Sequence, residues 1–430
     1  MKARIIITAI AALFTGTVAS AQNLSAYYNS LYLFSNEANP AFAPDCKNYV
    51  ALPGIQIGVQ SNIGAYSLLY PNGNGFVTGL HQSVSSEEFL SRIGESANLS
   101  NDGTIRLFGV GGKIHEKSYL SASIKLRESA DVLLPYDTFR LLKEGSATSD
   151  SFNLSDAAFS GNVLGEIDIN LMHSFGRITV GATAKVINGF VRGDLDLDKL
   201  NIVASPEKWS FEGEGKINTS FVNFNPGLAL DLGVNAHITD NLVISAAVLD
   251  LGGITWATTT DFSLPGGRWE YSGIDISTNG NESEGIGSEL ESAINGLTSK
   301  LELVKSDNDA RYYTSLPVSA NAGIKYTLPA WDKLSFGAVV AYKGNAIFNS
   351  TDARAIIDVH PLKWFEVSAS AGTSTEGPRG GMLAVISIGP LRAHMGAEMV
   401  GSQYGKYSGL SIPIDKVRMM ADFGLQLTVR

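Results

Sequence analysis

A single cysteine, Cys46, is all the thiol chemistry this 430-residue chain has. It can close no internal disulfide and cannot by itself build a cysteine zinc site. Charge is also scarce, at 17% Asp, Glu, Lys and Arg, and the formal balance is −10 with no basic cluster. That balance argues against nucleic acid as a partner. Beyond the N-terminus there is no long apolar run, so no spanning helix is expected in the mature chain. Yet 44% of the residues are hydrophobic, too many for a disordered polymer. The motifs of common catalysts are missing too. There is no Gly-x-Ser-x-Gly elbow and no His-Glu-x-x-His pair. Asp422-Phe423-Gly424 matches a kinase tripeptide without its companion motifs, and Gly109, Gly111 and Gly112 read as strand glycines because no helix follows them. We therefore expect no enzyme, no cofactor and no metal.

The chain opens with Lys2 and Arg4, an apolar core over residues 5–18, and Ala19-Ser20-Ala21. This pattern predicts a signal peptide over residues 1–21, cleaved before Gln22. No cysteine stands at the cleavage point, which argues against a lipoprotein. Losing Lys2 and Arg4 takes the formal charge from −10 to about −12.

Residues 22–48 form an aromatic, irregular N-terminal segment. In it Tyr27, Tyr28, Tyr32 and Phe34 lead into Asn39-Pro40-Ala41-Phe42. From residue 49 to 430 the dominant signal has period two. Ile167, Ile169 and Leu171 alternate with Glu166, Asp168 and Asn170; after Phe175-Gly176-Arg177, Ile178, Val180, Ala182 and Val186 alternate with Thr179, Gly181, Thr183 and Lys185. Successive strand side chains point to opposite faces, so this is a hairpin with one apolar and one polar surface. The same alternation recurs to the last strand, where Met419, Ala421, Phe423 and Leu425 oppose Arg418, Asp422 and Gln426.

Short turns fall near residues 115–117, 176–177, 239–240, 329–332, 360–363 and 389–390. Between them lie mostly long connections, near 71–103, 128–158, 193–216, 250–314 and 401–416. The first strand is expected over residues 49–70, bent near 61–64. Short helices are expected where Ser85 and Glu88 have capping-box spacing and near residues 139–143. Ile286, Leu290, Ile294, Leu297 and Leu301 mark one face of another helix. Tight turns alternating with loops predict an all-β, transmembrane antiparallel β-barrel of about fourteen strands, with short helices in extracellular loops. A string of soluble sandwiches explains the alternation but not the long and short rhythm.

Lipid cannot hydrogen-bond a backbone, so a sheet that crosses it must close, with apolar side chains outward. Glu166, Lys185, Asp231, Lys325, Glu366, Arg392 and Asp422 are then expected in a wet or mutually paired interior. Gly181, Gly233, Gly323 and Gly337 would leave room for a lumen. Phe175, Trp331, Trp364 and Phe365 lie at tight-turn ends, where an aromatic girdle belongs. The candidate polar site is His360, Glu366, Arg392, His394 and Glu398, expected near the tight turns of the last five strands. It reads either as a lumen site or gate, or as a hydrogen-bonded network filling the barrel base.

With its signal peptide, Asn39-Pro40-Ala41-Phe42 ahead of the first strand, and about fourteen strands, the chain resembles FadL-related outer-membrane barrels, particularly the PorV/PorP-like barrels of Bacteroidota. The resemblance implies an outer-membrane location in a Gram-negative cell, with lipid as the surrounding partner. It implies either passage of hydrophobic small molecules or an accessory role in type IX secretion and attachment of surface proteins, and a barrel with neither ligand nor partner is the third alternative. It also implies that residues 22–45 fold into the barrel as a plug. The chain departs from many such barrels by ending in Arg430 rather than an aromatic residue.

Overall fold

A computed structural model describes residues 24–72, 75–145, 150–205, 209–220, 224–256, 259–271, 304–308, 311–344, 346–347, 349–375, 377–400, 404–407, 410–413 and 416–429. The helix face expected at Ile286 to Leu301 lies outside them. Fourteen strands form the wall. They are β1 (Asn48–Ser61), β2 (Ser96–His115), β3 (Ser118–Pro135), β4 (Ala158–Phe175), β5 (Ile178–Ala204), β6 (Pro226–His237) and β7 (Leu242–Trp256). After these come β8 (Ser319–Thr327), β9 (Leu334–Lys343), β10 (Ser350–Leu362), β11 (Phe365–Ser374), β12 (Gly377–Ile388), β13 (Leu391–Val400) and β14 (Val417–Val429). Each pairs antiparallel with its neighbours in sequence. β14 pairs with β1 from Asn48↔Val429 to Ser61↔Val417, which closes the barrel.

Alternation becomes a division between solvents. On β4, Ile169 is 50% exposed while Asp168 beside it is 6% exposed. Ile167, Leu171, Ile178, Val180 and Val186 face out with Ile169, while Glu166, Asn170, Thr179, Thr183 and Lys185 face in. The turn between the two strands is closed by Gly176 in the left-handed region, at φ +67°. Phe175, Trp331 and Trp364 are exposed at tight-turn ends. An outward apolar surface bordered by aromatics on a closed sheet is the form that satisfies every wall hydrogen bond in lipid. Among the described residues no helix is long and apolar enough to cross a membrane; the strands do so.

The wall is uneven. β8, β9, β11 and β13 have nine or ten residues, about what a tilted strand needs to cross the apolar layer. β2 to β5 have eighteen to twenty-seven and rise beyond it on the loop side. There Trp209–Ser220, Thr259–Tyr271 and Val304–Asn308 pair on in succession from β5, extending that side as a sheet.

Local differences from the sequence expectations have physical reasons. β1 stops at Ser61, because Asn62 exchanges hydrogen bonds with Asn98 and the chain then turns into a helix at Ala65–Leu68. The expected loop at 193–216 is mostly strand, pairing from Arg192↔Ser220 to Ala204↔Trp209. The capped helix forms at Ser86–Ser91, where the Ser85 hydroxyl accepts from the Glu88 amide, and the second helix spans Tyr136–Glu144.

Candidate functional site

Inside the barrel lies the segment from Leu24 to Lys47. Tyr27 stacks edge-on to Tyr28 and Phe42, at centroid distances of 4.8 and 5.1 Å, giving the segment an apolar kernel of its own. Having almost no regular structure, it leaves many backbone groups for the wall to satisfy. The wall does so from all sides. Glu366 on β11 accepts from the Ser30 amide and hydroxyl and the Leu31 amide, at 2.7–3.1 Å. Arg392 on β13 donates to the Leu31 and Asp45 carbonyls, and Lys325 on β8 to that of Tyr28. Asn321 donates to the Ala38 carbonyl and Asn170 to that of Pro40.

The Asn39-Pro40-Ala41-Phe42 stretch is the tightest part of this fit. The Asn39 amide donates to the carbonyls of Val234 on β6 and Ala246 on β7, while its oxygen accepts from the Ala41 amide. The inward glycines are filled rather than vacant. A Cβ on Gly181 would stand 2.0 Å from the Pro40 carbonyl oxygen, and one on Gly233 2.1 Å from the Asn39 side-chain oxygen. At Gly323 and Gly337 it would meet Tyr28, at 2.5 and 2.9 Å. Reading these four glycines as room for a lumen is thus corrected: they admit the backbone and rings of the inner segment.

The five residues of the candidate polar cluster separate into three settings. Glu366 and Arg392 hold the inner segment. His394 sits between Asp422 (3.2 Å) and Gln426 (2.9 Å), edge-on to Tyr32 and Phe34 of that segment. Glu398 lies near the loop end of β13, where Arg354 grips both its oxygens at 2.5 and 2.7 Å; Arg354 also binds Asp352, to which Arg379 pairs. His360 is half-buried at the turn end of β10 and joins neither group. The five therefore form no common site, and Glu398 is not near a tight turn.

Glu166, Lys185, Asp231 and Asp422, four of the charges expected inside, are paired in a different constellation whose partners the sequence does not indicate. Arg106 on β2 bridges Glu37 of the inner segment (2.7 Å) and Asp422 of β14 (3.2 Å), with Tyr32 donating to the same Asp422 at 2.6 Å. Next to it Lys125 binds Asp168 at 2.5 Å and Lys185 binds Asp231 and Asp250 at 2.8 and 2.7 Å. Arg127 forks onto both oxygens of Asp250 at 3.0 Å and reaches Glu166 at 2.9 Å. Burial alone would raise the Glu37 carboxyl, but the Arg106 guanidinium and the Lys125 ammonium outweigh it and hold the carboxyl down to about 2. Asp250 owes its place to a bulge, where the β6–β7 register shifts between Leu230 and Leu232. Its φ of +62° is the one left-handed value among described residues other than glycine, and its amide donates to Asp231 at 2.7 Å. The period-two pattern placed Glu166, Lys185 and Asp231 on the inner face; nothing in it marked Asp250.

Above this floor, toward the loops, opens a cavity of about 820 Å³. Leu164, Ile254, Trp256 and Leu316 border one side, packed as an apolar group with Ile187 and Ala229 behind. Tyr32, Phe34 and Glu37 of the inner segment border the bottom. Among the described residues no group of three or more His, Cys, Asp or Glu is placed to hold a metal ion.

These features define a class: a membrane-spanning, fourteen-stranded barrel with an internal N-terminal segment and a cavity above it. The chain belongs to a family of unknown function, DUF5723, whose model matches residues 40–398. No curated protein matches the sequence. Among solved structures, it is similar to the Ralstonia pickettii toluene transporter TbuX, at 10% identity and a TM-score of 0.48 over 93% of this chain and 95% of that one. The Pseudomonas putida toluene transporter TodX gives 10% identity and 0.46 over 96% of each chain. A Pseudomonas aeruginosa FadL homologue gives 12% identity and 0.47 over 96% of this chain and all of the other. At these values the likeness is one of overall layout.

Proposed function

We propose that the protein is an outer-membrane barrel that binds small hydrophobic molecules at its outer face and admits them to the cell, as a FadL-like channel does. The observation that carries this reading is the cavity of about 820 Å³. Its size suits a small organic ligand, and it sets an apolar wall over a floor of fixed polar groups. The inner segment acts as a plug between this cavity and the tight-turn end, so onward release requires the segment to shift. The test is entry of a radiolabelled apolar compound into cells that carry the barrel, carry none, or carry Ala158→Trp, which fills the cavity from its β4 side. Entry should be fastest with the unaltered barrel and fall to the barrel-free rate with Ala158→Trp, while that variant keeps heat-modifiable mobility. Equal entry in all three removes the reading. A second reading, an accessory barrel for secretion or attachment of surface proteins, draws on the many tethers of the plug, which leave the outer loops and the tall β2–β5 side as the working surface.

A further inference from the structure

The charges around the cavity restrict what it can hold. Six cationic side chains line it among the described residues, and each already has a carboxylate partner. Arg106 pairs with Glu37, Lys125 with Asp168, Lys185 with Asp231, Arg192 with Asp194, and Lys343 with Asp102. Arg127 is the cation at the floor best placed for a ligand, with 24% of its side chain exposed, and it is held by both oxygens of Asp250. With its fork on Asp250 and Nη1 also on Glu166 at 2.9 Å, Arg127 has little left to offer an incoming anion. Carboxylates are in excess: seven line the cavity, and Glu166, Asp168, Asp231 and Asp422 stand directly behind its floor. The seven include Asp131, which is satisfied by the Ser100 hydroxyl and the Ala346 amide. A ligand anion entering here would displace a formed pair or face uncompensated negative charge at low dielectric.

We propose that the cavity accepts apolar molecules whose polar end is uncharged or positive and rejects those whose polar end is an anion, and that Asp250 sets this preference by keeping Arg127 occupied. The apolar end packs on the Trp256 and Leu316 side, and the polar end meets acceptor oxygens at the floor. The left-handed backbone at Asp250 supports this role, because Val248 faces out and Leu249 in, so strict alternation would point Asp250 at lipid, and the bulge turns its carboxylate inward instead. The inference rests on the ligand-binding reading above, and its test separates the two.

The purified full-length barrel in lipid nanodiscs is titrated with 1-decanol, decyltrimethylammonium and decanesulfonate. Each competes with the apolar fluorophore 1-N-phenylnaphthylamine, and empty nanodiscs provide the baseline. Decanol and the ammonium should each bind at least about tenfold more tightly than the sulfonate, equivalent to about 1.4 kcal/mol. Asp250→Asn keeps a residue that tolerates the left-handed region while loosening the hold on Arg127, and should raise sulfonate affinity about tenfold relative to that of decanol. Sulfonate binding equal to or tighter than that of decanol in the unaltered protein overturns the inference while leaving the ligand-binding reading in place. If none of the three displaces the fluorophore, the ligand-binding reading itself fails and takes the inference with it. Should Asp250→Asn not fold, the three ligands on the unaltered protein decide alone.

Discussion

Adding one methyl group at Gly181 should unseat the inner segment. An ideal Cβ there lies 2.0 Å from the Pro40 carbonyl oxygen, 2.2 Å from its carbon and 2.5 Å from the Ala41 nitrogen, all backbone atoms that cannot rotate away. Reaching an ordinary 3.4 Å contact requires the segment to move about 1.4 Å, the difference between 3.4 and 2.0. That shift carries Pro40 out of reach of the Asn170 amide, now at 3.2 Å, and strains the Asn39 bonds to Val234 and Ala246. Overpacking of this kind costs about 1–3 kcal/mol, and a buried polar group left unmet about 1–3 kcal/mol more. The assay is conductance in planar bilayers, with protease access to residues 24–47 measured alongside. Gly181→Ala should show frequent openings and faster cleavage than the unaltered barrel. Gly193→Ala on the same strand is the control, since its Cβ would meet nothing nearer than a Phe159 ring carbon at 3.4 Å. If Gly181→Ala is indistinguishable from the unaltered protein in both measurements, the glycine borders open space and the seating described above is wrong.

Three further outcomes follow from the same geometry. Asp250→Ala should destabilise the barrel by about 1–3 kcal/mol in urea unfolding, because half-buried Arg127 keeps Glu166 alone, Lys185 loses a carboxylate at 2.7 Å and the new residue tolerates its left-handed backbone poorly; Asp250→Asn should cost clearly less. Ile169→Arg on the exposed face of β4 should cost about 2–4 kcal/mol if that position lies near the bilayer midplane, and an equal loss for Ile169→Leu would contradict a lipid-facing position. The Glu37 carboxyl, held down to about 2, contributes stability that is full above about pH 4.5 and is lost as pH falls toward 2. Protease access to the inner segment should therefore rise over that window, and Glu37→Gln should flatten the response.

Much of the wall could be read from alternation because each strand meets lipid on one side and protein on the other. Ile167, Ile169 and Leu171 against Glu166, Asp168 and Asn170 leave one choice of face. Where the strands leave the lipid this contrast disappears, which is why the Asp194 to Asp198 stretch, alternating leucine with aspartate, looked like loop although it continues β5. The interior was harder for two reasons. Charges at inward positions were evident, but which cation meets which carboxylate depends on register between strands, and on a bulge at Asp250 that no periodicity announces. A missing side chain at Gly181 or Gly233 reads the same whether the space holds solvent or another segment's backbone, and the path of Leu24 to Lys47 follows neither helical nor strand period. Of the polar group, Glu366, Arg392 and His394 share the inner face around Leu31 and Tyr32, while Glu398 lies toward the loop end and His360 stands apart at a turn.

The measurement that bears most directly on the proposed activity is equilibrium binding of an apolar ligand to the cavity. 1-N-phenylnaphthylamine is titrated into nanodiscs carrying the unaltered barrel or Ala158→Trp, with matched unfolding profiles. The expected result is one saturable site per barrel in the unaltered protein and only lipid partitioning in Ala158→Trp. Identical, unsaturable uptake in both would contradict a ligand site above the inner segment and leave the barrel's outer surface as the place to look.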